Sequence, residues 1–243
     1  MPKQRKKNRV SSKLMFKPIQ LMIGAVALAV IAVIVLIAIS QFSARGPQEA
    51  STPNGAIVTA KSECPNLISG YTRTMGSLEA PVQFIEFSDF QCPVCGRFAR
   101  DYEARMIKNF VCTGKVRFTY KDFAFIGPES KLAAQAANCA TDQGKFWEYH
   151  DKLFTSQRGE NSGNFSEKRL KGFARDLKLD MGTFSQCLDS GKYATQVQSE
   201  FQEGKGRGVN ATPTFFLDGK EIRGLPASYD VLSRLLKKAL SNQ

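Results

Sequence analysis

The sequence predicts an α/β fold, a central mixed sheet interrupted by a helical insert. Three observations predict it. Val82-Gln83-Phe84-Ile85-Glu86-Phe87 is apolar, aromatic and β-branched, as a buried strand is, and it leads into Cys92-Pro93-Val94-Cys95. From Lys115 to Phe123, Val116, Phe118 and Tyr120 alternate with Arg117, Thr119 and Lys121, the two-residue period of a second strand. From Glu129 to Gln202 the periodicity is helical, and only then do Thr214 to Leu217, Asp218-Gly219 and Lys220 to Arg223 read as a hairpin with a tight turn.

The elements follow in order. Phe98, Tyr102, Met106 and Phe110 form a helical stripe after the Cys-Pro-Val-Cys segment. Thr113-Gly114 then turns the chain into the second strand. A helix crossing between two successive strands makes them parallel, whereas the late hairpin adds antiparallel strands. Leu132, Ala136, Cys139 and Ala140 mark the first insert helix, and Phe146, Trp147, His150, Leu153 and Phe154 the next. Ser166 stands where it can cap a helix through Leu177, and Asp180 where it can cap one containing Phe184, Cys187 and Leu188. A last insert helix begins near Lys192. Ser228 to Leu240 closes the chain as an amphipathic helix with Val231, Leu232, Leu235, Leu236 and Leu240 on one face.

The N-terminal region reads differently. Lys3, Arg5, Lys6, Lys7, Arg9, Lys13 and Lys17 carry seven of the positive charges, with no acid among them. Leu21 to Ile39 is then 19 residues without a charge, long enough to cross about 30 Å of hydrocarbon. Basic flanks stay cytoplasmic, so the rest of the chain is expected outside. A cleaved signal peptide has an apolar region of about 7–15 residues, so length favours an uncleaved anchor. The expected organisation is a basic cytoplasmic tail over 1–18, a transmembrane signal-anchor over 19–40, a linker over 41–63 rich in Ser, Thr, Gly, Pro and Gln, and one domain over 64–243 with its helical insert at about 129–206. Without the tail the net charge of +12 falls to +5, scattered among acids. That distribution argues against nucleic-acid binding.

All six cysteines follow the anchor segment: Cys64, Cys92, Cys95, Cys112, Cys139 and Cys187. An even count suits an oxidising compartment. If Cys92 pairs with Cys95, the other four allow three connectivities. Cys92 at a helix start meets free backbone N–H groups and the positive end of the helix dipole, which favour its thiolate. Pro93 fits the first helical position, where its missing donor costs nothing. Cys95 lies one turn inward. A zinc site needs four ligands, and the sequence holds one histidine, His150, and no second Cys-x-x-Cys, so no metal is expected. His150 and Trp147 read as helix packing, and Asp89 and Gln91 as residues near the approach to Cys92.

Pro81 to Arg100 (PVQFIEFSDFQCPVCGRFAR), Gly144 to Phe154 (GKFWEYHDKLF) and Gly208 to Gly219 (GVNATPTFFLDG) together resemble the DsbA-like branch of the thioredoxin superfamily, thiol:disulfide oxidoreductases that work outside the cytoplasm. The resemblance extends over about residues 75 to 240. It implies a thioredoxin-like fold, with Cys92 as exposed nucleophile and Cys95 as buried resolving thiol. It also implies a cis-proline loop at Thr212-Pro213 that binds a substrate strand beside Cys92, with Thr212 facing the sulfurs; a trans proline that only starts a strand is the alternative. Glu86 interrupts an apolar strand where the family carries a buried acid beneath the dithiol. Burial raises a carboxyl pKa and suits Glu86 to a proton relay for Cys95; a solvent-facing edge glutamate is the alternative.

The resemblance further implies a structural disulfide between Cys139 and Cys187, and with it a second between Cys64 and Cys112 that pins the linker's end beneath the dithiol helix. The expected activity is disulfide introduction into unfolded exported proteins by a monomer with no cofactor beyond its cysteine pair. Oxidising equivalents are expected from a quinone-linked membrane oxidase of the DsbB or VKOR type. The strongest oxidants of the family have a histidine within the motif, where this chain has Pro93-Val94. An oxidant of intermediate strength is therefore expected. An isomerase or reductase on the same fold, and a peptide-binding module with a structural cysteine pair, are the alternatives.

Overall fold

The computed structural model describes residues 64–243. The tail, anchor and linker expected over 1–63 lie outside the described residues. Among those described, no helix is long and apolar enough to cross a membrane.

Five strands form one sheet: β1 (Thr74–Met75), β2 (Val82–Ser88), β3 (Val116–Asp122), β4 (Thr214–Leu217) and β5 (Lys220–Arg223), in the order β1-β3-β2-β4-β5. β2 and β3 run parallel, from Val82 opposite Val116 to Ser88 opposite Asp122, while β4 is antiparallel to both β2 and β5. The crossover between the parallel strands is α1 (Pro93–Phe98), which continues as helix to residue 111. That continuation contains two π-helical stretches, Ala99–Glu103 and Ile107–Val111. The reason lies in spacing. Buried residues recur every four positions, at Phe98, Tyr102, Met106 and Phe110 and again at Ala99, Glu103, Ile107 and Val111. Four exceeds the 3.6 residues of an α-turn, and the wider i→i+5 turns keep both rows inward.

The insert comprises α2 (Pro128–Thr141), α3 (Phe146–Thr155), α4 (Glu167–Asp176), α5 (Met181–Asp189) and α6 (Ala194–Gly206), and α7 (Tyr229–Leu240) ends the chain. Asp180 caps α5 by accepting from Thr183 N at 2.8 Å, and Ser228 caps α7 through Val231 N at 3.3 Å. Ser166 precedes α4 as expected, but its side chain makes no capping bond. The edge strand β1 is an addition to the expected elements. Two residues show no period, and β1 exists through its pairing with Phe118 and Thr119 of β3.

The sheet divides the core. On one face Val82, Phe84 and Glu86 share a side with Phe118, Tyr120 and Phe215, under α1; Phe215 stacks on Phe84 at 5.1 Å and meets Phe98 at 4.8 Å. On the other face Phe87, Phe123, Val209 and Phe216 form a second cluster with Phe201 of α6. Each fully buried phenylalanine is worth roughly 1.5–3 kcal/mol. Charged groups join the sheet to the insert as well. Arg73 donates to Asp122 at 2.9 Å and pairs with Glu200 of α6, and Asn138 of α2 donates to Asp122 at 2.9 Å.

Two disulfides cross-link the described chain. Cys139–Cys187 joins α2 to α5, and Cys64–Cys112 ties the start of the described chain to the C-terminal end of the dithiol helix, the end opposite Cys92. Each bond joins cysteines 48 residues apart, so each removes much of the unfolded chain's freedom. The double variant Cys139→Ala/Cys187→Ala is expected to lose about 2–4 kcal/mol of stability. Urea unfolding with the other cysteines left oxidised measures it.

Candidate functional site: a dithiol on a helix N-terminus

Cys92 is the N-cap of α1 and Pro93 its first residue, and the Cys92 carbonyl accepts from Gly96 N at 3.1 Å. Both Cys92 and Cys95 are free thiols. Cys95 is wholly buried, and Cys92 retains only 6% of its surface. That is less than the exposed nucleophile expected from the sequence, because the Thr212-Pro213 loop lies over it. The Thr212–Pro213 peptide bond is cis, and the Cys92 thiol donates to Thr212 O at 3.3 Å. Residues 120 positions apart therefore meet at one sulfur. Thr212 accepts from the Cys92 thiol with its backbone oxygen, and its buried hydroxyl, unbonded while Cys92 is a thiol, is the side-chain donor to the thiolate.

The two sulfurs differ sharply in acidity. The Cys92 thiol is lowered from 9.0 to about 6. A hydrogen bond from Cys95 is the largest cause, burial opposes it, and Thr212 and the N–H groups of Cys95 and Val94 add to it. The Cys95 thiol is pushed well above its ordinary value, first by burial and then by its bond to Cys92 and by the Cys92 and Glu86 charges. One sulfur is thus a stable thiolate at neutral pH and the other a thiol.

Glu86 lies beneath them at 1% exposure, because the two-residue period of β2 places it on the face of Phe84. Its neighbours in register are Tyr120 and Phe215. Burial raises its pKa from 4.5 to about 8, partly offset by the neighbouring Ser88 hydroxyl, with the Cys92 charge adding to the rise. Glu86 therefore holds a proton at neutral pH.

Sequence reasoning missed how the insert supports this site. Gln157, after α3, donates to Phe90 O at 2.8 Å and to Cys92 O at 3.0 Å. A Cβ at Gly96 would run into the Gln157 amide oxygen, so a larger residue there would displace that side chain. Asp89, whose role the sequence left open, is buried and accepts from Gln91 N, Phe125 N, Ile126 N and Ser130 Oγ at 2.6–3.1 Å. Gln91 reaches Ser130 Oγ at 2.8 Å and accepts from Asn161 N at 2.6 Å. These bonds fix the loop that presents Cys92. Nothing in a glutamine's local sequence marks it as the partner of carbonyls 67 and 65 residues away. Beside the dithiol an open depression of about 670 Å³ is lined by Gln91, Pro93, Arg100, Thr155, Gln157 and Glu160.

A buried thiol under a low-pKa thiolate, against a cis-proline loop and over a protonated acid, defines a site for thiol–disulfide exchange. Known proteins agree. A family model described as thioredoxin matches residues 69–238. Disulfide bond formation protein D of Bacillus subtilis (strain 168) is 30% identical over 172 residues, covering 70% of this chain and 77% of that protein. The crystal structure of oxidised BdbD from Bacillus subtilis superposes with a TM-score of 0.65 at 29% identity, covering 70% of this chain and 94% of that one. A Na(+)/H(+) antiporter, NhaA 1 of Salinispora arenicola (strain CNS-205), is 32% identical over 158 residues, but the match spans only 22% of that protein. The fold and site are those of a DsbA-like thiol:disulfide oxidoreductase. The chain belongs to the thioredoxin family.

Two outcomes test the electrostatics. The rate of Cys92 alkylation by iodoacetamide is expected to rise with a midpoint near pH 6, and Thr212→Val to move that midpoint upward. In the unfolded chain Glu86 loses its proton at 4.5, whereas in the folded protein it keeps it to about 8, so its contribution to stability falls as pH rises through that window. Glu86→Gln is expected to remove that decline, as urea midpoints measured at several pH values would show.

Proposed function

We propose that the protein introduces disulfide bonds into newly exported, unfolded proteins outside the cytoplasm, held at the membrane by the apolar segment at 19–40 as a signal-anchor. The observation that carries this reading is the difference in acidity between Cys92 and Cys95. A substrate thiolate attacks the Cys92 sulfur of the oxidised enzyme. The Cys92–Cys95 bond breaks, and Cys95 leaves with the electron pair and takes a proton from Glu86. A second substrate thiolate then attacks the substrate sulfur of the mixed disulfide, and Cys92 leaves as a thiolate. Its low pKa makes it a good leaving group and stabilises the reduced enzyme, which is what makes the disulfide form oxidising.

The cis-proline loop supplies the backbone edge along which an extended substrate strand lies beside Cys92. The open depression next to the dithiol gives that strand room and offers it Gln91, Arg100, Gln157 and Glu160 as polar contacts. Reoxidation falls to a quinone-linked membrane oxidase of the DsbB or VKOR type, and the chain acts as a monomer with no cofactor beyond its cysteine pair. Pro93-Val94 offers the Cys92 thiolate no side-chain donor, which makes the oxidant one of intermediate strength.

The potential of the soluble domain, titrated in glutathione buffers with the cysteine pair followed by mass shift, tests the direction of electron flow. A value well above that of thioredoxin, about −270 mV, is expected. A value at or below it supports a reductase. Cys92→Ala should abolish oxidation of a reduced client protein; activity retained in that variant would leave the peptide-binding alternative.

A further inference from the structure

Resting on that reading, we propose that Glu103 and His150 carry the proton that Cys95 gains and loses between Glu86 and the surface of the insert at Asp151. The route starts from a constraint. Cys95 shows no surface and Glu86 only 1%, and a substrate strand on Thr212 closes the remaining opening at Cys92. Each redox cycle nonetheless changes the protonation of Cys95, so a proton must pass through protein.

Behind Glu86 stands a second buried acid. Glu103, in the first π-helical stretch of the dithiol helix, has no exposed surface, and no protein group hydrogen-bonds to either of its carboxyl oxygens. Its Oε2 lies 4.0 Å from His150 Nε2, which is likewise fully buried without a hydrogen bond. The other ring nitrogen, Nδ1, is 3.3 Å from Asp151 Oδ1, and the Asp151 side chain is 14% exposed, the first group of the series to reach solvent. Phe90, Tyr120, Phe146, Trp147 and Phe154 wall the histidine. Leaving such polar atoms buried and unbonded is costly, more so when charged, and packing alone gives no reason to retain them.

The titratable groups facing these residues are few. Glu86 faces Cys92, Cys95, Tyr120 and Glu103; Glu103 faces Glu86, His150 and Asp151; His150 faces Glu103, Asp151 and the Tyr120 ring. Burial first, then the Glu86 and Asp151 charges, keep Glu103 protonated. Protonated Glu103 can give its proton to a Glu86 carboxylate and recover one from His150, whose rotation or tautomer exchange brings it from solvent at Asp151. The balance closes. Two electrons pass from the substrate dithiol to the Cys92–Cys95 bond, one proton arrives at Cys95 through Glu86, and reoxidation sends it back along the same groups.

The test is stopped-flow reduction of the oxidised full chain by a dithiol peptide, in H2O and in D2O, for wild type, Glu86→Gln, Glu103→Gln and His150→Gln. Glutamine is the neutral isostere of protonated Glu103, so fold and redox potential are expected to stay unchanged, as far-UV circular dichroism and glutathione titration verify. Glu103→Gln and His150→Gln are expected to slow reduction about tenfold, change the solvent isotope effect, and make the rate depend on formate concentration. If Glu86→Gln slows the reaction while the other two match wild type within twofold in rate and isotope effect, the relay at Glu86 stands and this route is wrong. Lowered stability with unchanged rates would likewise overturn it and leave Glu103 and His150 a packing role.

Discussion

The contact between the Cys92 sulfur and the Thr212 carbonyl is the constraint on which the rest of the molecule depends. It joins the start of a helix to a loop 120 residues later. A sheet can supply that meeting only if β2 and β4 are neighbours, since both groups lie at adjoining strand ends. The insert between β3 and β4 must therefore leave the sheet and return without displacing that pairing. Its five helices do so by packing on both faces, α3 through Trp147 on Phe118 and α6 through Phe201 on Phe123.

The chemistry follows from unequal burial of two like groups. Cys92 has backbone N–H donors and the Cys95 thiol at hand, so its negative charge is solvated by protein. Cys95, three residues on, is buried and hydrogen-bonded to Cys92 beside the Cys92 and Glu86 charges, which together outweigh the Ser88 hydroxyl that favours its thiolate. A helix start makes this possible, because one turn carries the chain from a rim rich in donors to an interior without them. Glu86 belongs to the same gradient: the burial that keeps Cys95 a thiol keeps Glu86 a carboxylic acid.

Much of this was legible in the sequence where the signal is local or periodic. The apolar run of β2, the alternation of β3, the Asp-Gly hairpin and the stripes of α2, α3 and α7 all appear where their patterns put them. Glu86 stood out as a charge within an apolar strand. Other features depend on distant partners. β1 is defined by its neighbour, and Gln157 by two carbonyls it meets only after α3 has packed on α1. Glu103 did leave a trace, a charge in the row of Ala99, Ile107 and Val111. A reading at 3.6 residues per turn passes over that row, because the π-helical turns bring it inward.

The bonds of Arg73 and Gln157 bear on how the domain is built as a unit. Arg73 spans from the chain before β1 to β3 and to α6, and Gln157 spans from the insert to the loop of the dithiol. The insert is thus not an accessory that could be excised to leave a smaller working domain. Its removal would strip Asp122 of Asn138, leave the Phe90 carbonyl without its Gln157 donor, and uncover Phe90 and Tyr120, which pack against His150. Sheet and insert are expected to melt in a single cooperative transition, with the reactive pair on the seam where both halves must be intact for either sulfur to have its acidity.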